Sequence, residues 1–142
     1  MSASLSTACF IDTNIWLYAF IEADDPKKSA NARYLIQQFE PVLSVQVINE
    51  VCLNLLRKAN FSEEQVRQLI DSFYAQYRVI DYNQALLLLA SQLRQRYSLS
   101  YWDSTIVASA LKAGVAVLYS EDMHHSLLID NQVQIINPFM MP

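Results

Sequence analysis

ACFIDTNIWLYAFI, residues 8–21, decides how the chain is read. Ala8 to Ile11 is a short apolar run that stops at Asp12, and Thr13 to Ile21 carries bulky apolar residues suited to a helix entered directly from a strand. The same alternation continues downstream. Pro26 opens a helix through Ala30, Tyr34, Leu35 and Phe39, with Asp24 and Asp25 near its N-terminus and Glu40-Pro41 ending it. Val42 to Ser44 reads as a second strand, followed by a helix whose apolar residues Val47, Ile48, Val51, Cys52, Leu55 and Leu56 recur at helical spacing and which Asn60 closes. Ser62 and Gln65 form a capping box for a helix carrying Val66, Leu69, Ile70 and Phe73 on one side. Arg78 to Ile80 reads as a third strand, and a Leu-rich helix runs from about Asn83 to Arg96. A last helix, from about Trp102 to Ala113, ends at Gly114, the only glycine in the chain and a natural cap. Val115 to Tyr119 and Val133 to Ile136 read as further strands, and the tail after Asn137-Pro138 as irregular.

Strands that are almost continuously hydrophobic and alternate with helices indicate an α/β fold, a parallel sheet of about four to five strands covered by helices on both sides. No internal repeat or linker interrupts it, so residues 1–142 are expected to form one domain. With a single glycine, Walker-type and dinucleotide-binding loops are excluded, because each needs several glycines to bring backbone amides onto phosphate.

The chain has 142 residues, of which 53% are hydrophobic and 17% charged, enough to bury a core without disulfides or a structural metal. Cys9 and Cys52 form no CxxC pair and each lies in an apolar run, so both read as buried, reduced thiols, which favours a cytoplasmic protein. No Lys or Arg precedes Lys27, and Asp12 and Asn14 interrupt the first apolar stretch; this is not the pattern of a secretion signal. No apolar run is long enough to span a bilayer. The net charge of −4 argues against a broad basic nucleic-acid face. That objection weakens if acidic side chains gather around divalent cations, which reverse the field a phosphate meets.

In open α/β sheets the ligand crevice lies beyond the carboxyl ends of the strands, which draws attention to Asp12, directly after the first strand, and to Asp122, just past Tyr119. A lone Asp at either place would be a helix or turn cap; two weaken that reading. Asp103 shares a helix face with Ile106, Val107 and Ala110, so a carboxylate heads an apolar stripe, where burial without a partner is expensive. A first-turn residue favoured by the helix dipole explains Asp103 equally well. Glu50 falls off its helix's apolar face and by pattern alone is solvated. Asp24-Asp25, Lys27-Lys28 and Glu63-Glu64 read as helix-end or surface charges. His124 and His125, without Cys or a third His nearby, make a weak zinc signal and read as loop residues. Trp16, Tyr18, Tyr101 and Trp102 flank the acidic positions; they fit base stacking, but core or rim packing is the commoner use of such residues.

Phe10-Ile11-Asp12-Thr13-Asn14 at the start, Glu50 in mid-chain, Trp102-Asp103 opening a late helix, and Ser120-Glu121-Asp122 after a strand occur in an order that resembles the PIN-domain nucleases, from about residue 8 to Phe139. The resemblance implies that Asp12, Glu50, Asp103 and Asp122 form an acidic constellation binding Mg²⁺ or Mn²⁺, with Asn14 and Ser120 as polar supports and Thr13 and Ser104 as further donors. Glu121 is an alternative to Asp122, although the Ser-x-Asp spacing favours Asp122. Such a carboxylate group repels itself unless cations or protons intervene, and hard divalent ions prefer oxygen ligands. A metal-dependent ribonuclease cutting single-stranded RNA is the implied activity. Chains of this size look like the VapC-like toxins of bacterial toxin–antitoxin pairs, which implies a small antitoxin partner and a homodimer.

Two other readings compete. A receiver-like signalling domain would use Asp81, after the third strand, as phosphoacceptor; it lacks the acidic pair after the first strand and the lysine after the last buried strand, and Asp81 is expected to cap the Asn83 helix instead. A PIN fold kept as a binding module without catalysis would usually have lost acidic ligands, and all four are present. A DNase or an enzyme of ribosomal-RNA processing would use the same site.

Overall fold

The computed structural model describes residues 7–21 and 25–140. In chain order the elements are β1 (Ala8–Ile11), α1 (Thr13–Phe20), α2 (Pro26–Gln38), β2 (Glu40–Ser44), α3 (Val45–Lys58), α4 (Glu63–Gln76), β3 (Arg78–Ile80), α5 (Gln84–Arg96), α6 (Tyr101–Ala113), β4 (Val117–Tyr119), β5 (Leu128–Ile129) and β6 (Val133–Ile136). Asp24 lies outside the described residues, as do the last two of the tail.

The sheet has six strands in the order β3-β2-β1-β4-β6-β5. All pairings are parallel except β5 with β6, which is antiparallel. Cys9, Phe10 and Ile11 are consecutive and all buried. Successive strand residues point to opposite faces, so both faces of β1 are covered. Helix α6 lies against β1, β2, β3 and β4, and every residue from Ser104 to Ala110 is buried. Trp16 anchors α1 in a cluster with Phe73 and Tyr77, its indole N–H donating to the Ile11 carbonyl at 3.0 Å.

Helix ends follow local chemistry. Asp25 caps α2, accepting the Lys28 N–H at 3.1 Å, and Ser62 and Gln65 close a reciprocal capping box on α4. Gly114 ends α6 at φ 74°, in the left-handed region, where a glycine carries no Cβ penalty. Asn60, just past α3, is also left-handed at φ 54°.

The structure corrects three expectations. Glu40-Pro41 ends no helix but starts β2. The Glu40 N–H donates to the Thr7 carbonyl, so the Pro41 nitrogen points to the other side, and there β3 begins only opposite Val42; no ladder bond is lost. Asp81 does not cap α5; Asn83 accepts the Leu86 N–H at 3.0 Å and takes that role. The last strand has an antiparallel edge partner, β5, only two residues long, too short to leave a periodic signal. Among the described residues no helix is long and apolar enough to cross a membrane.

Candidate active site

Order reverses about β1 and β4, which are adjacent in the sheet although separated by most of the chain. Such a reversal opens a crevice at the carboxyl ends of the strands, and four acidic side chains from four segments reach it. Asp12 leaves the end of β1 and caps α1: one carboxylate oxygen accepts the Thr13 N–H at 2.7 Å, the other the buried Ser120 hydroxyl at 2.9 Å. Glu50, on α3, accepts the Thr13 hydroxyl at 2.6 Å and the Gln46 amide at 3.0 Å. Asp103 sits in the first turn of α6, its N–H donating to the Ser100 cap at 3.1 Å. Asp122, past β4, accepts a hydrogen bond from the Asn14 amide.

Asp12, Thr13, Asn14, Glu50, Asp103 and Asp122, together with Trp102 and Ile106, line one cleft of about 110 Å³. Asp103 and Asp122 also border a larger neighbouring groove of about 380 Å³ that continues past Tyr97 and His124. Among the described residues none of the four carboxylates forms an ion pair with Lys, Arg or His.

Electrostatics follow from this grouping. Burial pushes the Asp12 carboxyl up from 3.8 to about 6; the Thr13 N–H and the Ser120 hydroxyl oppose the rise, and the charges of Glu50 and Asp103 add to it. Asp103 is also raised, first by burial, with the Ser100 contact lowering it and Asp122 and Glu50 raising it. These are like charges sharing a site, and each neighbour makes ionisation harder. Neutral donors hold the side chains apart: among the described residues no three His, Cys, Asp or Glu groups are drawn into a ready-made metal shell. The chemistry of the donor set nonetheless fits a hard divalent cation: all four groups are carboxylates lining one cleft and, among the described residues, none has a basic partner.

Glu50, which helical periodicity leaves in solvent, is half-buried at the cleft. Its signal is the Thr13 hydroxyl across the cleft, a long-range contact that spacing along one helix does not reveal. Glu121 turns away from its neighbour Asp122. It pairs with Lys28 and accepts the Tyr18 hydroxyl at 2.7 Å, and Lys28 lies over the rings of Tyr18 and Phe139. Lys28 is the helix-end charge expected, in the first turn of α2 with its side chain 34% exposed, and it is also paired. Ser104 does not serve the carboxylates: its hydroxyl donates to the Tyr101 carbonyl and accepts from Arg94 at 2.7 Å, because α6 carries it to the face opposite the cleft. His125 accepts the Asn137 N–H at 2.9 Å and belongs to the C-terminal loop packing. The sequence reading does not single out Gln46, although i,i+4 spacing sets it beside Glu50, and Lys28 reads only as a helix-end or surface charge because its partner Glu121 lies far along the chain. Cys9 and Cys52 are free and buried, and burial pushes the Cys9 thiol up to about 12, leaving it inert.

The family model for the PIN domain matches residues 9–127. The chain belongs to the PIN-domain family. Solved structures similar to this PIN domain include VapC20 of Mycobacterium tuberculosis, described as a sarcin-ricin loop cleaving toxin, at TM-score 0.66 and 22% identity over 80% of this chain and 89% of that one. A toxin–antitoxin complex from Klebsiella pneumoniae aligns at TM-score 0.70 and 18% identity, over 94% and 99% of the two chains. VapBC2 of Rickettsia felis, bound to a DNA fragment of its promoter, aligns at TM-score 0.62 and 19% identity, over 92% and 99%. At these identities the likeness is one of fold. No curated protein sequence matches the chain.

Proposed function

We propose that this PIN-domain protein is a metal-dependent endoribonuclease that cuts single-stranded RNA, and that it is the toxin of a toxin–antitoxin pair. One observation carries the reading: Asp12, Glu50, Asp103 and Asp122, from four separate segments, line a single cleft and, among the described residues, none of them is paired with a basic side chain. Likeness of fold to VapC20 and to toxin–antitoxin complexes supports it.

The four carboxylates are the groups that would hold Mg²⁺ or Mn²⁺, which when bound activates water and stabilises the charge on a phosphodiester. The chain's own residues supply orientation. Ser120 and the Thr13 N–H fix Asp12, Thr13 and Gln46 fix the two oxygens of Glu50, and Asn14 holds Asp122. The Thr13 hydroxyl is committed to Glu50, and in the proposed reaction the attacking group is water. An acidic cleft also suits a basic segment of a small antitoxin, which would compete with the cations for the same carboxylates. The same reading carries a homodimer, which sedimentation velocity would test.

Incubation of labelled RNA with Mg²⁺ or Mn²⁺ tests the activity, with single-stranded DNA and duplex RNA as parallel substrates. Wild type should cut single-stranded RNA, whereas Asp12→Asn and Asp103→Asn should not. Equal cleavage by all three proteins would sink the assignment.

A further inference from the structure

Two lining side chains of the cleft are left unused by the hydrolytic chemistry: Ile106, which is buried in the core, and Trp102, which is not. Trp102 is 57% exposed and its neighbour Tyr101 55% exposed, and their rings meet edge to face at 5.3 Å. Helix α6 has no structural need for two large aromatics there. Its N-terminus is capped by Ser100 and its buried face starts at Ser104. The other tryptophan, Trp16, is buried in the core.

Arg94, from the last turn of α5, places its guanidinium 4.3 Å from the centre of the Tyr101 ring and donates to the Ser104 hydroxyl at 2.7 Å. The end of a helix favours a basic residue, but that does not explain why this one is folded back onto an exposed ring. Among the described residues Arg94 has no carboxylate partner. Its charge lies on the Tyr101 side of the aromatic pair, at the start of α6.

Position decides what the rings can take. A phosphodiester drawn to the carboxylates would set an adjoining base beside Trp102, which lines the same cleft and is largely exposed. The neighbouring groove, sharing Asp103 and Asp122, gives an extended strand a path onward. An apolar protein side chain seated on Trp102 would instead cover the adjacent carboxylates without pairing them, which is costly.

We propose that Trp102, backed by Tyr101 and Arg94, is a stacking platform for an unpaired nucleobase next to the phosphodiester in the acidic cleft, with Arg94 meeting a flanking phosphate. The proposal rests on the nuclease reading and adds to it a reason for single-strand preference. A base held in a duplex already has both faces stacked and cannot lie on the ring, whereas every unpaired base offers a π-face.

The test uses the full chain carrying Asp12→Asn, so that RNA is bound and not consumed, with a short mixed-sequence RNA oligonucleotide and its blunt duplex. The single strand should quench the exposed-tryptophan fluorescence, and the duplex should not. In that background Trp102→Leu, which keeps apolar bulk without an aromatic face, should weaken single-strand binding about 5- to 150-fold, and Trp102→Phe should retain most of it. Arg94→Met should lower the salt dependence by about one phosphate contact, a slope change near 0.7; circular dichroism confirms that each variant is folded. Binding by Trp102→Leu equal to that of its parent overturns the platform, and so does a Trp102 effect confined to self-association in sedimentation, which would assign the rings to a second copy of the chain. Failure of the nuclease reading looks different: Asp12→Asn and Asp103→Asn would then leave cleavage untouched, whatever Trp102 does.

Discussion

Asp12→Asn is expected to stabilise the metal-free protein at pH 8 while removing its cleavage activity. In the fold the Asp12 carboxyl titrates at about 6 against an ordinary 3.8, which corresponds to about 3 kcal/mol of destabilisation once the group is ionised. The native state holds this proton more tightly than the unfolded chain. Stability therefore falls as pH rises from about 4 to about 6 and stays low above that, the reverse of a salt-bridged aspartate. Asn is as good a helix cap as Asp, but with its carbonyl oxygen on the Thr13 N–H, the NH₂ in place of Oδ2 cannot accept the Ser120 hydroxyl, and about 1 kcal/mol is lost there. A net gain of about 2 kcal/mol remains at pH 8, or roughly 4–8 °C in Tm for a chain of this size. Thermal melts of both proteins in EDTA between pH 4 and pH 8 measure it; the gain should shrink as pH falls and reverse toward pH 4, where only the lost Ser120 contact remains and the variant melts below wild type by about 1 kcal/mol. Added Mn²⁺ should raise the wild-type Tm and leave the variant nearly unchanged. A variant that melts below wild type at pH 8 in EDTA would refute the claim that the fold holds an ionised Asp12 at a cost.

Other substitutions probe the supports. Thr13→Val removes the 2.6 Å donor to Glu50 and should lower Mn²⁺ affinity about 10- to 100-fold in calorimetry, with Tm changing little. Lys28→Met breaks the pair with Glu121, whose side chains are 34% and 17% exposed. Given that exposure, a loss of about 1 kcal/mol in urea unfolding is expected. Gly114→Ala places a Cβ where nothing lies within 4 Å, so only the backbone at φ +74° resists it. Denaturant titration should show about 1 kcal/mol lost.

Much of the fold was legible because β1, α3 and α4 carry their own signals: an apolar run cut by Asp12, a helical apolar repeat from Val47 to Leu55, and the Ser62–Gln65 box. Pro41 and β5 were not legible, since one depends on where a neighbouring strand begins and the other is two residues long. At the site, Asp12, Asp103 and Asp122 stand out as acidic residues at strand ends or on an apolar face. Glu50 does not, because its position is defined by Thr13 on another element. Glu121 and Asp122 are adjacent and chemically alike; Lys28, far upstream, separates their roles, and nothing local to the pair encodes that. Ser104 was misread for a related reason: one step along α6 from Asp103 rotates it toward Arg94.

The cleft draws one group from each of β1's end, α3, α6 and the segment after β4, so no shorter stretch of the polypeptide contains a working subset. Splitting the gene at the exposed Ser98, between α5 and α6, would put Asp12 and Glu50 on one fragment and Asp103 and Asp122 on the other. Each half alone should be silent, and recovered cleavage on mixing would report directly that the two halves of the sheet have found each other again.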